Sequence, residues 1–159
     1  MSYDRNRLKV ELIGDECIGG IVPLDAYLDS NGLWTVGVGH LLHPGKVTEP
    51  RVRRITLREA MAWLDIDIED AEVALDRVLP GWSNLSNMRQ RALVNMAFNR
   101  GEKHMRESTT ITPAIKAAMA GSILASWQPV KDAIVASPWA AQIKGRAVRI
   151  ADMLVNGVA

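Results

Sequence analysis

The chain is poor in several things, and each shortage narrows the field. One cysteine among 159 residues, Cys17, rules out an intramolecular disulfide and a cysteine-based zinc site. Charge is nearly balanced, with 19 basic against 18 acidic side chains, so the basic excess of a general nucleic-acid binder is missing. No apolar run approaches the roughly 18 residues a membrane span needs. The opening segment, Met1 to Arg7, is polar and lacks the apolar stretch of a secretory signal. The expectation is a soluble protein made in the cytoplasm, which something else must release if it acts outside the membrane. Aromatics are only 5%, yet five of the eight are tryptophan, a residue suited to sugar faces and to cores alike.

What is present is a globular composition, 48% apolar and 23% charged, at a length that suits one domain or two small lobes. A helix is expected from about Asp4 to Glu16, capped by Asp4, with Leu8, Leu12 and Ile13 at helical spacing; Gly19-Gly20 and Pro23 break it. From Leu24 to Leu42 the texture becomes that of a small β-hairpin or three-stranded sheet, with a turn at Asp29-Ser30-Asn31-Gly32. Gly37 and Gly39 alternate with Val36 and Val38, which predicts a strand with one bare face. Thr56 to Glu59 is a capping box opening a long helix. Leu57, Met61, Leu64, Ile68, Ala71, Leu75 and Val78 form its stripe, and Pro80-Gly81 ends it. Shorter helices follow: Ser86 to Arg100, closed by Gly101; one opened by Thr112-Pro113; and Arg146 to Asn156. Strands and helices are segregated, an α+β pattern in which a cleft between lobes would hold a ligand.

Metal and nucleophile chemistry find little support. His40 and His43 lie on a strand-to-loop segment where their spacing does not converge on one ion, and no nucleophile elbow or phosphate loop is present. Carboxylates remain. Glu16 ends the first helix and Asp29 sits in the turn of the β region. Glycoside hydrolysis needs one carboxyl to protonate the leaving oxygen and another to hold a water. Taken alone, each acid also reads as a solvated helix-end or turn residue, and Glu11 is a fallback acid one turn earlier.

The surrounding blocks are more specific. Asp15-Glu16 followed by Leu24-Asp25-Ala26-Tyr27-Leu28-Asp29-Ser30-Asn31-Gly32-Leu33-Trp34-Thr35-Val36-Gly37-Val38-Gly39-His40 resembles the phage lysozyme family, the muramidases or endolysins of the T-even phage type. Ile55 to Ala60, Asn95 to Glu102 and Ser137 to Arg149 resemble further blocks of that family, in family order and over nearly the whole chain. The resemblance implies an α+β lysozyme-like fold, a single domain over 1–159. It would have a β-containing lobe at about 17–55, a bridging helix at about 56–79 and a helical lobe at about 80–159, with helix 4–16 packed on the last.

The resemblance also implies roles. Glu16 would be the general acid, Asp29 would hold the attacking water, and Thr35 would be its partner. Inversion at the anomeric carbon would follow, with carboxyls roughly 6.5–9.5 Å apart. Arg146 would orient Glu16, His40 would pair with Asp67, and Phe98, Asn99 and Gln142 would line the cleft. The implied substrate is the peptidoglycan glycan strand. The protein would be a monomer with no cofactor, metal, nucleic-acid partner or membrane insertion. It would act on the wall of the host bacterium after holin-type release from the cytoplasm, or from a virion.

The chain departs from the family in spacing. Twelve residues, Cys17 through Leu28, separate Glu16 from Asp29, more than the family usually has, so an insertion is expected around Ile18-Gly19-Gly20-Ile21. Two rival readings accompany the muramidase. A lytic transglycosylase would manage with one glutamate. A lysozyme-like module impaired by the insertion would bind peptidoglycan without clearing it.

Overall fold

The computed structural model describes residues 3–121 and 126–157. Seven α-helices are among them: α1 (Arg5–Glu16), α2 (Leu57–Val78), α3 (Asn87–Arg106), α4 (Ile111–Ala120), α5 (Gln128–Val135), α6 (Pro138–Ile143) and α7 (Gly145–Asn156). Three short strands, β1 (Tyr27–Leu28), β2 (Trp34–Val36) and β3 (His40–Leu41), form an antiparallel sheet in that order. The architecture is mostly helical with one small sheet, the segregated α+β arrangement expected from the sequence. No helix among the described residues is long and apolar enough to cross a membrane.

The chain divides into two compact units, Asn6–Glu69 and a second made of Met1–Arg5 with Asp70–Ala159. In the first unit the core is Val36, Leu42, Ile55 and Ala60, with Val22, Leu24, Trp34, Met61 and Trp63 packed on it. The sheet register pairs Tyr27 with Thr35 and Thr35 with Leu41, so these three side chains share one face. Lys9 on α1 meets Asp65 on α2 at 2.7 Å.

Gly37 and Gly39 are not on a strand, as their alternation with valine suggests. They flank Val38 in the turn between β2 and β3, with φ of +61° and +75°. Positive φ is what glycine supplies there. Closeness matters too, since a β-carbon on Gly37 would lie 3.3 Å from that of Ala60.

The capping box opens α2 as its residues dictate: Glu59 N–H donates to Thr56 Oγ1 at 3.2 Å, and Glu59 Oε2 accepts from the Thr56 backbone at 2.7 Å. Its buried stripe runs through Ala60, Leu64, Ile68, Ala71, Leu75 and Val78. Leu57 departs from the expected stripe and is 55% exposed, because Ala60 beneath Gly37 occupies the first core position.

In the second unit α7 packs on α3, α5 and α6, and buries Ala147, Ile150, Ala151 and Leu154 at the i, i+3, i+4, i+7 spacing of one helical face. Gly101 does not end α3. It breaks the helix at φ 70°, ψ 162°, after which the chain regains helical geometry and buries Met105. α4 starts one residue before the expected Thr112-Pro113, with Pro113 in its first turn. Ser108 Oγ accepts from Ile111 N at 3.1 Å, while Thr112 is already inside the helix and donates its hydroxyl to Met105 O at 2.6 Å. Arg89 ties down the C-terminal end: it donates to Leu154 O at 2.8 Å and stacks over Trp127 at 4.4 Å.

Candidate active site

Two carboxylates of the first unit act electrostatically on one phenol. Glu16 is the last residue of α1, half-buried, and its carboxylate lies over the backbone of Gly39, where a β-carbon would come within 3.6 Å of Oε2. A β-carbon at 39 would sit in ordinary van der Waals contact with the acid, so it is the φ of +75° that calls for glycine there. Tyr27, beside Thr35 on the sheet, is raised above the ordinary tyrosine range by burial first, then by the charges of Cys17, Glu16 and Asp29. Glu16, Cys17, Tyr27 and Asp29 thus share one electrostatic neighbourhood, with Thr35 adjoining.

Asp29 has a built geometry. Its Oδ1 accepts from Asn31 N and Leu33 N, both at 2.8 Å, and its backbone exchanges bonds with Leu33 and Gly32. This is an Asx turn, in which the side chain substitutes for backbone in closing the loop. One oxygen is held by the turn, so the carboxylate is fixed in orientation, and Oδ2 carries no hydrogen bond among the described residues. Thr35 is buried at 4% exposure and its hydroxyl donates to Leu33 O at 3.2 Å, which leaves its lone pairs for a further donor.

Cys17 is buried directly after Glu16. Burial, and then the Glu16 charge, push its thiol above the usual range, so it is neutral and weakly reactive near pH 7 and charged only in the alkaline range where tyrosines titrate. His40 on β3 and Asp67 on α2 meet at 2.9 Å through Nδ1 and Oδ2, and the imidazole stacks on Trp63 at 4.6 Å. The tryptophan that lies off the α2 stripe thus packs against this histidine.

The remaining expected residues lie in the second unit. Arg146 on α7 donates through Nε to Asn95 Oδ1 at 3.0 Å, and Asn95 is fully buried on α3. Asn99 Oδ1 accepts from Trp139 Nε1 at 2.8 Å, and Arg100 lies over the same indole at 5.1 Å. Phe98 is half-buried and Gln142 exposed. No group of three histidine, cysteine or acidic side chains among the described residues is placed to hold a metal ion.

Sequence reasoning did not single out Tyr27 or Asn95. Tyr27 stands two residues before Asp29, hence on the same side of an extended segment, and that period-2 relation was the available signal. Asn95 is a polar residue inside the apolar run Ala92 to Ala97, and a polar side chain in such a run must find a partner.

The family described as phage lysozyme matches residues 20–136. The match begins just after Glu16 and ends before Gln142 and Arg146. The chain is also 30% identical over 154 residues to the pre-baseplate central spike protein Gp5 of Enterobacteria phage T4, a similarity covering 84% of this chain. The chain spans 26% of that relative's length.

Proposed function

Since the chain belongs to the phage lysozyme family, we propose that it is a muramidase, cutting the β-1,4 bond between N-acetylmuramic acid and N-acetylglucosamine in bacterial peptidoglycan. The observation that carries this reading is the pair of acids on the first unit, Asp29 fixed by its turn and Glu16 over Gly39, both of which act on Tyr27.

Glu16 gives its proton to the glycosidic oxygen as the bond to the anomeric carbon breaks. Asp29, oriented by its turn, uses Oδ2 to hold a water against that carbon and takes a proton as the new C–O bond forms. Thr35 accepts from the same water. Attack from the face opposite the leaving oxygen inverts the anomeric centre. The His40–Asp67 pair braces the β-containing lobe, and Arg146, Phe98, Asn99 and Gln142 belong to the same proposal as supporting and substrate-binding residues. The similarity to a spike protein adds a virion role to host lysis as a place of action. In either setting the protein works on the wall as a monomer.

Glu16→Gln keeps the shape of the side chain and removes the proton. It is expected to abolish clearing of cell-wall suspensions while the circular dichroism spectrum is retained; full clearing by that variant would sink the assignment. Mass spectrometry of the cut ends tests the chemistry. Reducing ends support hydrolysis, and anhydro-muramic ends would identify a lytic transglycosylase instead.

A further inference from the structure

We propose that Ile18 and Ile21 form an apolar wall at the rim of the Glu16 site, against which the C–H face and N-acetyl methyl of the sugar flanking the scissile bond pack. This rests on the glycan-cleaving reading above and assigns a part of the substrate to the inserted segment.

The segment is a closed, anchored protrusion. Gly20 N donates to Cys17 O at 2.9 Å and Ile21 N to Ile18 O at 3.3 Å, which shut the turn on itself. At its first end the buried Cys17 fastens it to α1. At its second end Val22 packs on the core, and Pro23 O accepts from Gly37 N at 2.9 Å. Both anchors also support the site. Glu16 immediately precedes Cys17, and Gly37 opens the turn that carries Gly39 beneath the Glu16 carboxylate. The tip is therefore joined at both ends to residues that carry the Glu16 site.

That tip carries two isoleucines in water, Ile18 at 96% and Ile21 at 76% exposure. Isoleucine is among the most often buried residue types, and single exposed ones need no account. Two in a four-residue turn are another matter. Gly19 and Gly20 both sit at positive φ with open space where a side chain would go, so the turn offers no apolar neighbours of its own to cover them. An aminosugar fits the gap chemically: its ring presents C–H groups on one face and its acetamido group ends in a methyl, while its hydroxyls point elsewhere. Such contacts bind ground state and transition state alike, so they act on KM rather than kcat.

The test is the double variant Ile18→Ser/Ile21→Ser assayed on soluble peptidoglycan fragments beside wild type. Val10→Ser, an equally solvent-facing apolar residue on α1 (71% exposed), serves as control. KM is expected to rise roughly tenfold in the double variant with kcat and melting temperature held, and to stay put in the control. In parallel, Glu16→Gln protein with and without the isoleucine changes is sedimented with insoluble peptidoglycan, and retention should fall only when the isoleucines are gone. Unchanged KM and retention, with wild type still cutting, would overturn the wall and leave the muramidase standing. No turnover by wild type and no retention of Glu16→Gln would overturn both. A change seen only as lost partition onto phosphatidylglycerol–phosphatidylethanolamine vesicles would assign the tip to lipid and overturn the proposal.

Discussion

Tyr27 is the residue through which the site can be read without substrate. Its phenol is held above the ordinary value by burial and by the nearby Cys17, Glu16 and Asp29 charges. Removing one charge, in Glu16→Gln or Asp29→Asn, should bring its titration back toward the usual range, measured by ultraviolet difference absorption. An unmoved titration in both variants would place the two acids apart. The linkage has a definite sign. The folded protein holds the Tyr27 proton more tightly than the unfolded chain, so the associated stability is full below about pH 10 and is lost as pH rises through the higher folded value. At the same scale Glu16, Asp29 and Thr35 are named by the resemblance of the blocks around them, despite a Glu16–Asp29 spacing longer than the family's. Tyr27 is not, because its role depends on which charges fold against it. The Asx turn of Asp29 is a local hydrogen-bond pattern, and its sequence Asp29-Ser30-Asn31-Gly32 announces the turn but not which oxygen is spent on it.

The helix ends show what an element's sequence reveals and what it leaves to its neighbours. The α2 capping box was readable because its donors and acceptors lie three residues apart. Leu57 was misplaced because periodicity knows the helix but not the partner surface, which Ala60 and Gly37 set between them. Gly101 announced a break and hid the resumption, which Met105 secures by burial. Past α7, Gly157 is buried so tightly that a β-carbon would lie 2.7 Å from both Arg89 Cγ and Met153 O. Gly157→Ala is expected to cost about 1–3 kcal/mol of stability, because backbone cannot yield as a side-chain tip can. Chemical denaturation measures it, and a neutral substitution would mean that Arg89 and the end of α7 move aside freely.

For the whole molecule the fold class came through well. A segregated pattern of one small sheet and many helices survives small errors in element ends, and the family match covers residues 20–136. Net charge sets a further expectation. At +1 the protein lacks the long-range field that would draw it to an anionic wall, and surface charges are screened beyond about 8 Å at physiological salt. Activity should therefore depend only weakly on ionic strength between low and physiological salt, and a steep loss would reveal a basic face that total charge conceals. The central claim is that Glu16 and Asp29 make this chain a muramidase. Its most direct test is the turnover of purified peptidoglycan by wild type and Glu16→Gln in parallel, with the released ends identified by mass spectrometry. The account predicts new reducing ends from wild type and none from the variant; equal release from both, or no release from either, would contradict it.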